Sequence, residues 1–153
     1  MESPVIITLI TVAGLMAKNL VAIPPIQPEL MTLYARHETD NVSAKLLRAV
    51  AIVESGERVD AFNPNDPSYG LMQILYTGSN TLYVKGWPPG SATELFSPDY
   101  NLLIGSQILD YNIKKYGFFR GVISYNNWSG RTGSLPMNSI NYFLKVFSTL
   151  IRI

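Results

Sequence analysis

Ala49-Val50-Ala51-Ile52-Val53-Glu54-Ser55-Gly56 sets one carboxylate at the end of an otherwise apolar run. Leu47, Val50 and Ala51 stand seven, four and three positions before Glu54, the spacing of one helical face. Asn41 or Ser43 can cap this helix, and Gly56 ends it. Glu54 thus continues an apolar stripe, whereas the other acidic residues nearby read as polar loop. Partial burial disfavours a charged carboxylate, and the negative end of the helix dipole acts in the same direction. The helix therefore predicts a carboxyl group that keeps its proton to higher pH, as a general acid needs. By itself it favours the plainer reading, a solvated glutamate at a helix edge.

Outward from this helix the pattern is helical almost throughout, with no internal repeat or low-complexity tract. Residues 29–38 predict a short helix. Residues 60–68, dense in Asn, Asp and Pro, predict turns with at most a small β-hairpin. Residues 69–75 predict a further short helix, and Trp87-Pro88-Pro89-Gly90 marks a loop. Ser97-Pro98-Asp99 is a strong start signal for a long helix to about Tyr116, stopped by Gly117. Residues 118–126 continue as another helix, residues 127–136 as a Gly- and Ser-rich loop, and residues 137–152 as a closing helix. The fold class is mainly α: an apolar segment over residues 1–25, then one domain over residues 26–153.

The chain has 153 residues, 47% hydrophobic and 15% charged, enough to bury a core and too apolar to stay disordered. Its net charge is +1, with no Lys/Arg-rich run, which argues against nucleic acid as a partner. An uncharged polysaccharide or a small molecule suits this balance better. There is no cysteine, so disulfides, thiolate metal sites and a Cys nucleophile are excluded. The single histidine, His37, argues against a metal centre and reads as an exposed residue near a helix end.

Residues 4–23 are mostly apolar, interrupted by Lys18 and Asn19. A bilayer span needs about 20 such residues, and this stretch reaches that length only by including Lys18. Three readings stay open: a membrane anchor or membrane-inserting segment, a helix packed on partner subunits, and a signal peptide or local core helix. The signal-peptide reading lacks a positive n-region, since only Glu2 precedes the run. Pro24-Pro25 and Pro28 make a stiff link onward.

Two further blocks follow the Glu54 helix: Ser68-Tyr69-Gly70-Leu71-Met72-Gln73-Ile74 and Ser124-Tyr125-Asn126. Each alone reads as ordinary packing. In this order and spacing the three resemble the soluble lytic transglycosylase domain, whose blocks are a helix ending in Glu-Ser, a Gly-Leu-Met-Gln segment and an Ala-Tyr-Asn segment. Supporting similarity runs through Phe96-Ser97-Pro98-Asp99 into Asn101-Leu102-Leu103-Ile104-Gly105, and through Tyr142-Phe143-Leu144 near the end. The resemblance covers roughly residues 41–147. It implies a lysozyme-like, mostly helical fold that cleaves the glycan strands of peptidoglycan without metal or cofactor.

Carried over residue by residue, the resemblance makes Glu54 the catalytic acid/base, with Ser55 beside it at the helix end. Tyr69, Gly70, Met72 and Gln73 would bind saccharide, with Tyr125 and Asn126 across from Glu54 and Tyr142 reaching in from the last helix. Asn63 falls where many members have a serine facing the substrate. The chain departs from the pattern at Ser124, which replaces an alanine, and at Asn127-Trp128, which replaces Ala-Gly. The implied reaction closes a 1,6-anhydro ring on N-acetylmuramic acid. Its rival is lysozyme-type hydrolysis, for which Asp60 or Asp66 would have to activate water. A third reading is a structural or assembly protein on the same fold. The apolar N-terminus points to local penetration of the wall, by a phage virion protein acting in the host periplasm or by a periplasmic, membrane-anchored component of a secretion apparatus. Virion or secretion-machine subunits would then be partners, and residues 4–23 would meet the membrane.

Overall fold

Ser43 sets the start of the helix that carries Glu54: its side chain accepts from the Leu46 N–H at 3.2 Å. Gly56, in the left-handed region at φ 66°, closes the helix by returning its N–H to Ile52. The structure is a computed structural model describing residues 4–77, 87 and 89–153, with the backbone alone at 4–10, 128 and 129. Its described residues form helices α1 (Pro4–Lys18), α2 (Pro28–Arg36), α3 (Ala44–Ser55), α4 (Pro98–Asn126) and α5 (Met137–Leu150). Strands β1 (Phe62–Asn63), β2 (Ser68–Tyr69) and β3 (Ile74–Leu75) lie between α3 and α4, and one-turn 3-10 helices occupy Ala92–Phe96 and Trp128–Arg131. Pro88, in the expected loop, and Glu2 lie outside the described residues.

The core gathers on the inner face of α3. Leu47, Val50 and Ala51 are fully buried there and join Leu71, Leu102, Leu109 and Val122 in one apolar cluster. The start of α4 follows its sequence signal, with Ser97 as the capping residue and Pro98 in the first turn. Gly117 breaks α4 at φ 78°, ψ 167°. Beyond it the helix returns so closely that a Cβ on Gly121 would stand 2.5 Å from the Ile113 backbone.

The sheet corrects the expected short helix at 69–75. All three strands pair antiparallel in the order β1-β2-β3, with Phe62 opposite Tyr69 and Ser68 opposite Leu75. Gly70 (φ 72°) and Gln73 (φ 47°) both adopt left-handed backbone, which a helix cannot contain. The turn between them drives Leu71 and Met72 into the core. Their apolar character, read as a helical face, comes from that burial.

His37 is also not the exposed residue expected. It caps the end of α2, and its Nε2 lies 2.7 Å from Asp99 Oδ1 at the start of α4, with its side chain 11% exposed. Arg36 reaches the same carboxylate at 3.0 Å.

α1 is 15 residues long, about 22 Å, against roughly 30 Å for a hydrocarbon core. No helix among the described residues is long and apolar enough to cross a membrane. Thr11 to Gly14 are exposed, including Val12 at 45%. Asn19 is buried, donating to Leu15 O at 2.8 Å and to Asn141 Oδ1 of α5 at 3.4 Å. The chain that follows is fastened to the domain by Arg152, which donates to Val21 O at 2.9 Å, and by Arg48, which donates to Pro24 O at 3.0 Å.

Candidate active site

Glu54 stands in the last turn of α3, half-buried, at the foot of a cavity of about 280 Å³. The Tyr142 hydroxyl of α5 donates to its Oε1 at 2.6 Å. Burial raises the Glu54 pKa from the ordinary 4.5 to about 7, and the Tyr142 hydrogen bond, which favours the carboxylate, opposes that rise. The Tyr125 and Tyr142 hydroxyls are held well above their usual range, first by burial and then by Glu54. Both therefore remain neutral donors beside a carboxyl group poised near neutrality, the condition for giving and taking one proton at the same group.

Glu54, Asn63, Gln73, Tyr125 and Asn126 all line the cavity. They reach it from α3, β1, the β2–β3 turn and the end of α4. Tyr125 is fixed by donating to Met72 O at 2.7 Å. Gln73 lines the wall with its amide already engaged: Nε2 donates to Ala61 O and Gly70 O, and Oε1 accepts from Ser68 Oγ. Its amide thus holds the turn together.

Ser55, Tyr69, Gly70, Met72 and Tyr142 are not among the cavity's lining residues. Ser55 is buried; its hydroxyl donates to Leu71 O at 2.8 Å and accepts from the Arg58 N–H. Met72 is fully buried, and Gly70 lies so close to Leu95 O and Asn101 that a Cβ would stand 2.5–2.6 Å from them. The Tyr69 ring packs 5.0 Å from Phe62 and 5.4 Å from Phe96. Tyr142 acts on the site through Glu54.

Asn101, in sequence part of the start of α4, organises the β2–β3 turn. Fully buried, it accepts from the Met72 N–H at 2.7 Å and donates to Tyr69 O and Leu95 O. Gly105, one helical turn on, leaves the space that the Met72 side chain fills. An amide set just before Leu102-Leu103-Ile104 was the available signal.

Glu57 lies in the loop after α3, as expected, but not as a polar surface residue. It is buried, paired with Arg48 at 2.9 Å, and accepts from Tyr34 Oη at 3.0 Å. Asp66, Ser68, Asn112, Ser124 and Arg131 line the cavity as well; of these only Asp66 carries a role that the sequence suggests. Among the described residues no three His, Asp or Glu side chains gather as a metal site.

In overall shape the chain is similar to the 70-kDa soluble lytic transglycosylase of Escherichia coli, with 21% identity and a TM-score of 0.64 over 84% of this chain and 24% of that one. It is equally similar to an inactive mutant of the lytic transglycosylase Slt of Pseudomonas aeruginosa: 20% identity and 0.64, over 85% and 24%. A complex of the 70-kDa enzyme with bulgecin A gives 22% and 0.56, over 78% and 21%. The chain therefore spans about a quarter of the length of these proteins. No curated protein matches it in sequence. The family described as the transglycosylase SLT domain matches residues 31–138, a stretch that runs from α2 through the Glu54 helix and the small sheet to the start of α5. The chain belongs to the transglycosylase SLT domain family.

Proposed function

We propose that the chain is a peptidoglycan lytic transglycosylase with Glu54 as its single general acid/base. The observation that carries this reading is the half-buried Glu54 carboxyl, its pKa raised to about 7, facing a polar cavity in a member of the SLT family. Protonated Glu54 gives its proton to the oxygen joining N-acetylmuramic acid to N-acetylglucosamine. The bond from that oxygen to muramic C1 breaks, and the N-acetylglucosamine side leaves as an alcohol. The neighbouring N-acetyl oxygen stabilises the positive charge on C1, as in substrate-assisted glycosidases. The Glu54 carboxylate then takes the proton of the muramic C6 hydroxyl while its oxygen bonds to C1. The ring closes as a 1,6-anhydro sugar, Glu54 is reprotonated, and no water is consumed.

Asn63, Gln73, Tyr125 and Asn126 would meet the glycan directly. Ser55, Tyr69, Gly70 and Met72 would shape the wall from beneath, and Tyr142 would hold Glu54. One observation favours a second reading: Asp66 lines the same cavity, where lysozyme-type hydrolysis would place a water-activating carboxylate. Mass spectrometry of digested peptidoglycan separates the two. Anhydro-muramic ends, one water lighter than reducing ends, are expected; reducing ends alone would establish hydrolysis. Failure of wild-type protein to release any fragment would leave the structural or assembly reading.

The setting we propose is local opening of the cell wall by a phage virion or a secretion machine. The exposure of Thr11 to Gly14 in the apolar helix α1 supports this, as a surface for partner subunits or for the membrane boundary.

A further inference from the structure

One wall of the cavity carries a positive charge. Arg131, the last residue of the Trp128–Arg131 turn, is the one basic side chain among the described residues that line the cavity. Its position is built from both halves of α4. Ahead of the Gly117 kink, Arg131 Nη2 lies 3.4 Å from Asn112 Oδ1, and the guanidinium stands 5.6 Å from the Tyr116 ring centre. Beyond the kink, Arg120 donates to Gly130 O at 3.1 Å and to Gly133 O at 2.9 Å. A Cβ on Gly130 would collide with the Ile123 side chain, so the turn is seated directly on the helix.

Asn112 supplies an independent observation. It is 1% exposed, lines the same cavity, and its Nδ2 has no hydrogen-bond partner among the described residues. With Oδ1 turned to Arg131, Nδ2 can only donate. A buried donor without an acceptor is costly, so such a group beside a cavity points to an acceptor brought by a ligand. An amide N–H next to a guanidinium places a donor and a positive charge together, a set that matches a carboxylate.

We infer that Arg131 and Asn112 form a carboxylate subsite of the glycan groove, taking the carboxylate that a muramic acid residue carries. This rests on the proposed function. Two sources share the chemistry: the lactyl group of a bare muramic acid, and the stem peptide joined to it. The subsite would distinguish muramic acid from N-acetylglucosamine, which has no carboxylate, and so set which sugar lies on each side of the cut.

The test measures binding to Glu54→Gln protein, so that it reads out whether or not strands are cleaved. Three ligands are compared: peptide-bearing strands, strands stripped by an amidase to free lactyl carboxylates, and the stripped strands with those carboxylates converted to amides. Adding Arg131→Gln should weaken carboxylate-bearing ligands roughly tenfold and leave the amidated strands unchanged. Arg131→Lys should restore part of the loss, and Asn112→Ala should lower affinity for the same ligands. Loss confined to peptide-bearing strands identifies the stem carboxylate, and loss confined to stripped strands the lactyl group. Equal loss on all three ligands, or none, would overturn the subsite. Absence of wild-type cleavage would defeat the proposed function and leave this binding comparison readable.

Discussion

Tyr142 Oη donates to Glu54 Oε1 at 2.6 Å, joining α5 to α3 across 88 residues of sequence. The bond favours the charged carboxylate and so restrains the rise in pKa that burial imposes. Tyr142→Phe removes that restraint. The Glu54 pKa should then move above about 7, and the alkaline limb of the rate profile, where the acid loses its proton, should shift to higher pH. The carboxyl group also loses the contact that aims it, so kcat on peptidoglycan should fall about tenfold, the scale of one hydrogen bond to a charged group. The check is a pH–rate profile of the two proteins on purified cell walls. A lower kcat with an unmoved alkaline limb would mean that Tyr142 only packs.

Glu54→Gln separates catalysis from stability. Its folded pKa of about 7 lies above the ordinary 4.5, so the folded state binds the proton more tightly than the unfolded chain. The stabilisation from that proton is complete below pH 4.5 and is lost as pH rises through about 7. The shift corresponds to about 3 kcal/mol. Glutamine carries no charge at any pH and escapes this loss. The variant should release no muropeptides, match the wild type in urea stability near pH 4, and exceed it by up to about 3 kcal/mol at pH 8.

The helices were legible where single residues punctuate them. Ser43 and Gly56 bound α3, Ser97-Pro98 opens α4, and Gly117 breaks it, each through local backbone chemistry that acts wherever the residue occurs. The Glu54 stripe was legible for the same reason, because helical spacing is local. β2 and β3 were not, since each is two residues long and the left-handed Gln73 between them is held by Ala61 and Ser68. Arg131 and Asn112 meet only because a turn folds back over a kinked helix, a relationship no periodicity encodes. Glu57 lies in the loop as expected, but its burial there was not legible because its partners, Arg48 and Tyr34, lie 9 and 23 residues earlier.

That buried network should matter more for folding than for chemistry. Arg48 and Glu57 are 5% and 4% exposed, and Arg48 also grips the Pro24 carbonyl. Removing one partner strands a charge in the interior and should cost about 3–5 kcal/mol. Arg48→Met and Glu57→Gln should each lower the midpoint of urea unfolding accordingly. The double variant should lose less than the sum of the two, because neither charge is then left alone. Additive losses would mean that the two residues act separately.

Asn101 offers the sharpest test of how the groove wall is held. Its buried amide makes three hydrogen bonds, to the Met72 N–H, Tyr69 O and Leu95 O, and Tyr125 rests in turn on Met72 O. Asn101→Leu is close in volume but leaves those backbone groups without partners, at about 1–3 kcal/mol each. The turn that places Gln73 and the seat of Tyr125 should loosen together, so glycan cleavage should fall even at temperatures where the protein stays folded. Gly105→Ala disturbs the same seat by another route, since its Cβ would stand 2.8 Å from the Met72 side chain, the flexible group able to give way. Its effect should therefore be smaller, with a lower melting temperature and most of the activity retained. Amide exchange at Met72 reads the difference directly: fast in Asn101→Leu, and still slow in Gly105→Ala. Equal protection of Met72 in both variants would show that the turn is held by the sheet and not by Asn101.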